Sequence, residues 1–124
     1  MTAGVSMYFR VDRIHIRKGA IAALGNPHYV HLRVNERKKQ LFIQSCEKDK
    51  DAFRIYYKPE ADTDEESPER CYINAKRLLD YLSRLIGVER YSESLRFYSE
   101  LIEDEGSDER LLFIDLTKYD VIPY

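Results

Sequence analysis

RIHIRKGAIAALGNPHYVHLRVNERKKQLFIQSC, residues 13–46, carries three structural signals in close succession. Ile14 and Ile16 alternate with charged residues as in a strand. Gly19 to Leu24 then offers barely more than one helical turn before Gly25 stops it and Asn26-Pro27 redirects the chain. Val30, Leu32 and Val34 next share one face of a second strand, with His31 and Arg33 on the other. The polar turn Asn35 to Lys39 leads into a return strand from Leu41 to Cys46, which predicts a hairpin. So much apolar edge needs a partner.

Outward from this segment, Met1 to Ser6 reads as a loose lead-in, and Tyr8 to Val11 with Ile14 to Ile16 as a pair of strands or one bent strand. Phe53, Ile55 and Tyr57 alternate with Arg54 and Tyr56, predicting a further strand at Ala52 to Tyr57. Pro59 to Glu69 holds six acidic residues, two prolines and a single apolar residue, Ala61. That composition cannot bury enough surface to order itself, so residues 59–70 read as an acidic linker. Structure resumes at Cys71-Tyr72-Ile73, with Asn74 as the expected N-cap of a helix from Ala75 to Ile86. Leu78, Leu79, Leu82, Leu85 and Ile86 form its apolar face, and Gly87 ends it. Residues 95–102 fit a strand by alternation of Leu95, Phe97 and Leu101, yet Tyr91, Leu95, Tyr98 and Ile102 also fit a helix. A turn at Glu103 to Glu109 favours a hairpin with Arg110 to Leu116 as its return strand, and Thr117 to Tyr124 reads as a tail whose Val121 and Ile122 dock.

The class predicted is α+β, mainly β hairpins with one very short and one longer helix. Both halves run strand, helix ended by glycine, strand, polar turn, strand, so Ile16 to Ile43 is answered by Ile73 to Ile114. That order admits a degenerate internal duplication. The division is a basic hairpin domain over residues 1–58, the linker, and an acidic half over 71–124.

The formal charge of -2 conceals an asymmetry. Ten of the 20 Lys/Arg but only four of the 22 Asp/Glu fall in residues 1–50. Such a split steers a polyanion to one side, or drives association between copies or with a protein partner through the acidic half. Arg10, Arg13, Arg17 and Lys18 are spaced so that several can meet successive phosphates. The competing account is edge protection, since positive side chains discourage strand-to-strand aggregation without any ligand. Arg37-Lys38-Lys39 is the densest basic run, though a turn is polar in any case.

Strand, short helix closing on Leu24-Gly25, then hairpin resembles the swapped-hairpin DNA-binding domains of the AbrB/SpoVT type, found also in MraZ-like regulators. The resemblance rests on Ile14-x-Ile16-x-Lys18, Ala20 to Gly25, and Tyr29-Val30-x-Leu32-x-Val34 answered by Leu41-x-Ile43. It departs from the family at Arg17, at His28-Tyr29 and in the hairpin turn, which lacks glycine. It implies a swapped-hairpin-like homodimer that binds double-stranded DNA, a transcriptional regulator or antitoxin, through Arg10, Arg13, Arg17, Lys18, Arg37, Lys38 and Lys39. The runner-up is a non-catalytic oligomeric interaction module.

Other chemistry is thinly represented. His28 and His31 lie three apart and point to opposite faces of a strand, with no further ligand at a convincing spacing, so no metal is expected. Cys46 and Cys71 are too isolated for a paired-cysteine site and read as small buried residues. No phosphate loop or nucleophile motif occurs, and the reading is non-enzymatic, without cofactor. Two cysteines, no apolar signal segment and no membrane-length run predict a soluble cytoplasmic protein.

Overall fold

The computed structural model describes residues 2–58, 70–89, 94–103, 106 and 110–122. Its strands are β1 (Thr2–Tyr8), β2 (Arg13–Arg17), β3 (Tyr29–Asn35), β4 (Gln40–Cys46), β5 (Phe53–Arg54), β6 (Tyr56–Lys58), β7 (Arg70–Asn74), β8 (Ser94–Glu103) and β9 (Arg110–Ile122). Helix α1 (Lys18–Ala23) follows β2, and α2 (Lys76–Ile86) follows β7. All nine strands form one antiparallel sheet in the order β5-β3-β4-β9-β8-β1-β2-β7-β6. β5 and β6 are separated only by Ile55, whose N–H donates to the His28 carbonyl at 2.9 Å. The run 53–58 therefore bridges β3 and β7 and nearly closes the sheet into a barrel. The α+β, mainly β class holds. The apolar edges of the β3–β4 hairpin find their partners, β5 and β9, within the same chain.

Local sequence explains most elements. Ile14 and Ile16, Leu41 and Ile43, and Leu112, Ile114 and Leu116 point inward at every second position and are 0–2 % exposed. α1 is stopped as expected: Gly25 takes φ +87°, and the Gly25 and Asn26 N–H groups donate to the carbonyls of Ala22 and Ile21. α2 buries Leu79, Leu82 and Ser83, with Leu78, Leu85 and Ile86 half-buried beside them. Ser83 is tolerated there because its hydroxyl donates to the Asp80 carbonyl at 2.8 Å. Gly87 caps the helix at φ +88°.

Four expectations are corrected. The described part of the lead-in Met1 to Ser6 is not loose, because Thr2–Tyr8 is a strand held between β2 and β8. The bent region after it is a 3-10 turn at Phe9–Val11 closed by Asp12 in the left-handed conformation, φ 59°. Asn74 does not cap α2: it stays in β7 opposite Arg13, and Ala75 is the cap, its N–H donating to the Asp12 carbonyl at 2.9 Å. The tail from Thr117 is part of β9, whose Val121 and Ile122 pair with Leu95 and Ser94. Residues 94–103 are strand, which settles the helix alternative over the described part of 91–102. The linker Pro59 to Glu69 and most of the turn at 103–109 lie outside the described residues.

Strands of residues 1–58 and 71–124 are interleaved in the sheet and share one apolar core. The strand order also reads the same when β1 is exchanged with β5–β6, β2 with β7, β3 with β8 and β4 with β9. The exchange axis crosses the β4–β9 seam at Phe42 and Phe113, which are register partners with rings 5.5 Å apart.

At the closing strand, the half-buried Tyr57 hydroxyl donates to the Pro27 carbonyl, and its ring lies edge-on to His28 at 6.0 Å. Burial, followed by the field of Cys71, pushes this phenol above its ordinary range. Tyr57→Phe is expected to lower stability by about 0.5–1.5 kcal/mol, the usual net worth of one hydrogen bond, read as a lower melting temperature without loss of cooperativity. An unchanged melt would remove this contact as a closing element.

Candidate functional site

Alternation decides which side chains leave the barrel. On β2, Ile14 and Ile16 fill the core, so Arg13, His15 and Arg17 face outward. On β1, Val5 and Met7 go in and Ser6 and Tyr8 come out; on β8, Arg96 emerges between the buried Leu95 and Phe97. Register then aligns one row across five strands: Arg96 opposite Ser6, Ser6 opposite His15, His15 opposite Tyr72, and Tyr72 opposite Tyr56.

The row is aromatic at its β7–β6 end and carries Arg96 at its β8 end, where the next register partner, on β9, is Asp120. His15 stacks on Tyr72 at 5.9 Å, and Tyr72 on Tyr56 at 5.3 Å with 18° between planes. Tyr8 meets His15 edge-on at 4.6 Å. The Arg13 guanidinium lies 4.3 Å from the Tyr72 ring centre, and that of Arg54 lies 5.1 Å from Tyr56. Such cation–π pairs hold a guanidinium in place without neutralising it.

Beside this row opens a cleft of about 710 Å³, lined by Arg13, Arg17, Lys18 and Arg96 with Ser6, Tyr8, His15 and Cys71 among others. Among the described residues, no carboxylate lines it. Four cations converging on one recess build a positive potential that attracts anions, and low-dielectric walls focus it.

Of the seven cations singled out from the sequence, Arg13, Arg17 and Lys18 come together here. Arg10, on the 3-10 turn, does not line the cleft, and neither do Arg37, Lys38 and Lys39 of the β3–β4 turn. That turn has its own structural job: the Asn35 Oδ1 accepts the Lys38 N–H at 3.2 Å, and Lys39 takes the left-handed conformation at φ 52°. Arg96 was missed because it belongs to the acidic half and is 78 residues from Lys18 in the chain; only the β1–β8 pairing brings it in. The aromatic row had a partial signal, the alternation that sets Tyr56 and Arg54 on the face opposite Phe53, Ile55 and Tyr57, but its stacking depends on which strands are neighbours.

A second cluster lies on β3, β4 and the loop after them. His31 and Cys46 both face outward, on adjacent strands, Cys46 opposite Tyr29 and His31 opposite Gln44. The chain then folds back and sets Asp49 Oδ2 at 2.7 Å from His31 Nε2. The other carboxylate oxygen accepts the Asp51 N–H at 2.8 Å. This backbone bond, with His31 beside it, holds the Asp49 carboxyl below its usual range, while burial and the Asp49 charge push the Cys46 thiol up. The expectation that His31 has no further ligand within reach is therefore corrected, whereas His28 stands apart against Tyr57. Cys71 is buried as expected, but Cys46 is half-exposed.

Fold and surface together define an antiparallel barrel-like domain with a basic, aromatic-edged cleft. Comparison with protein-family models, with curated proteins and with solved structures finds no match to this chain. No helix among the described residues is long and apolar enough to cross a membrane.

Proposed function

We propose that the protein is a small DNA-binding regulator that grips the sugar–phosphate backbone in the cleft of Arg13, Arg17, Lys18 and Arg96. The observation that carries this reading is the convergence of four cations in one recess, with no lining carboxylate among the described residues, bordered by the His15–Tyr72–Tyr56 stack. Edge protection does not explain it, because β2 is not an edge: it pairs with β1 on one side and β7 on the other. Phosphate oxygens satisfy guanidinium donors bidentately, and aromatic rings beside them take unpaired bases. The combination favours a single strand, or a locally opened duplex, over intact double-stranded DNA.

The test is a salt titration of binding to duplex and single-stranded oligonucleotides of mixed sequence. Log affinity should fall with log salt at about -0.9 per neutralised phosphate for duplex and about -0.7 for single strands. Arg13→Ala, Arg17→Ala, Lys18→Ala and Arg96→Ala should each weaken binding and flatten the slope by nearly one unit. Arg10→Ala and Arg37→Ala should leave it in place. Tyr56→Ala should weaken single-strand binding by about 1–3 kcal/mol if a base stacks there. The reading fails if neither nucleic acid binds at low salt, where even non-specific binding of about 10⁻⁴ to 10⁻⁶ M is measurable, or if the cleft variants behave like Arg10→Ala.

A second reading, an oligomeric interaction module, is favoured by β8 and β9, which carry four of the six exposed large apolar residues among the described residues: Tyr98, Leu101, Ile102 and Val121. Sedimentation without DNA separates the two. A monomer at all concentrations removes homodimerisation and leaves the DNA reading intact.

A further inference from the structure

The cluster at His31, Cys46 and Asp49 takes no part in the proposed DNA cleft, and none of the three lines it. It combines a thiol, an imidazole and a carboxylate, one donor from each, with all three donor atoms within 4.8 Å of one another. Two of them are placed by the sheet itself, as outward diagonal neighbours on β3 and β4. The third is aimed by its own loop: Asp49 spends Oδ1 on the Asp51 N–H, which leaves Oδ2 to face the imidazole. The group is preassembled but still open, with side-chain exposures of 27 % at His31 and 46 % at Asp49.

A nucleophilic triad is a poor reading of this geometry. The carboxylate lies against the imidazole and close to the thiol, so it opposes formation of the thiolate that would have to attack. A divalent cation reverses that logic, because a positive charge between the three groups favours every anionic donor at once. Sulfur and nitrogen donors exclude calcium and magnesium, which take oxygen shells, and suit the borderline ions that accept sulfur, nitrogen and oxygen together.

We propose that His31, Cys46 and Asp49 form a binding site for a zinc-type divalent cation, four-coordinate, with the fourth position left to water or an incoming ligand. Metal–ligand bonds of about 2.0–2.3 Å place tetrahedral donors roughly 3.3–3.8 Å apart. The His31–Asp49 pair, at 2.7 Å, therefore opens by about 0.7 Å, and the widest donor pair, within 4.8 Å, closes by no more than about 1.2 Å, adjustments within side-chain torsions at a partly exposed site. Three bonds form, to sulfur, nitrogen and oxygen. The thiol proton and the Nε2 proton that His31 donates to Asp49 both leave to solvent, the neutral ring keeps or takes up its proton on Nδ1, and the His31–Asp49 hydrogen bond is exchanged for two metal bonds. The ion would tie β3 and β4 to the loop that leads into β5, the segment that closes the barrel. Binding is thus also expected to raise the melting temperature.

The experiment is a titration of the full chain with cobalt(II), followed by displacement with zinc(II). One equivalent of cobalt should give a near-ultraviolet sulfur-to-metal charge-transfer band together with tetrahedral visible bands, and zinc should abolish both. Cys46→Ala should eliminate the charge-transfer band, and Cys71→Ala should keep it. His31→Ala and Asp49→Asn should each weaken cobalt binding by more than the roughly 10–100-fold that removal of an outer-shell partner costs. Circular dichroism of each apo variant establishes that it is folded before metal is added. Absence of the band in the wild type, its persistence in Cys46→Ala, or its loss in a folded Cys71→Ala protein would each overturn the site.

Discussion

Replacement of Leu82 by aspartate is expected to abolish the cooperative thermal transition. Leu82 is fully buried on the inner face of α2, in the same apolar core as Leu79. The substitution forfeits about 1.5–3 kcal/mol of side-chain burial. It also puts a carboxyl group where no partner awaits it, for several kcal/mol more. The sum rivals the whole stability of a small domain, about 5–15 kcal/mol. A buried carboxyl has a raised pKa, so its charged form is the costlier one; relative to wild type the variant should suffer most above that pKa and less as the pH falls through it. Arg84→Asp, on the exposed side of the same helix, should stay within about 0.5 kcal/mol of wild type. The measurement is circular dichroism against temperature and urea. A folded Leu82→Asp protein with the wild-type midpoint would show that α2 does not face the core.

The second large effect is expected at Gly4, the third residue of β1, in the stretch that had read as a lead-in. A Cβ there would lie 1.9 Å from the Ser99 Oγ and 2.8 Å from the Ser99 Cβ. Rotating the hydroxyl away relieves the first clash but not the second. Both partners sit where pairing shifts register, between Ala3 and Val5 on β1 and between Phe97 and Ser99 on β8. Glycine commonly marks such places, where two backbones come close. Gly4→Val suits a strand backbone, so its penalty is steric: about 1–3 kcal/mol from overpacking, and more if β1 must move as a unit. The cause is testable by a compensating change. Ser99→Gly in the same chain should recover most of the loss, with a coupling energy of about 0.5–3 kcal/mol. A double variant no more stable than Gly4→Val alone would place the strain elsewhere.

Local periodicity carried much of the fold. Ile14/Ile16, Val30/Leu32/Val34, Leu41/Ile43 and Phe53/Ile55/Tyr57 each show period two, and Leu78 to Ile86 shows the helical period, because burial on one face is a property of neighbouring residues. Gly25 and Gly87 marked both helix ends for a similarly local reason, the left-handed residue that closes a helix. Where local pattern failed, a distant partner supplied what the segment lacked. Met1 to Ser6 is too small and polar to announce a strand; pairing with β2 and β8 makes Thr2–Tyr8 one. Thr117 to Asp120 looks like a tail and is held as strand by β8.

The sites divide along the same line. Arg13, Arg17 and Lys18 were legible as a cationic group because one strand and the first turn of one helix carry them. Arg10 and the Arg37 to Lys39 run were grouped with them by charge alone, and the backbone sends them elsewhere. Arg96 could join only through the β8–β1–β2 register, and the aromatic stack only through β2–β7–β6. The His31, Cys46 and Asp49 cluster follows the same rule, since Cys46 reaches His31 across a strand pair and Asp49 by a loop that turns back on itself. Sequence alone thus determined which segments extend, which coil and where they stop, because those choices are set by free energies acting over a few residues. Which side chains meet was decided by the tertiary structure, because strand pairing joins residues whose separation along the chain leaves no trace in any local pattern.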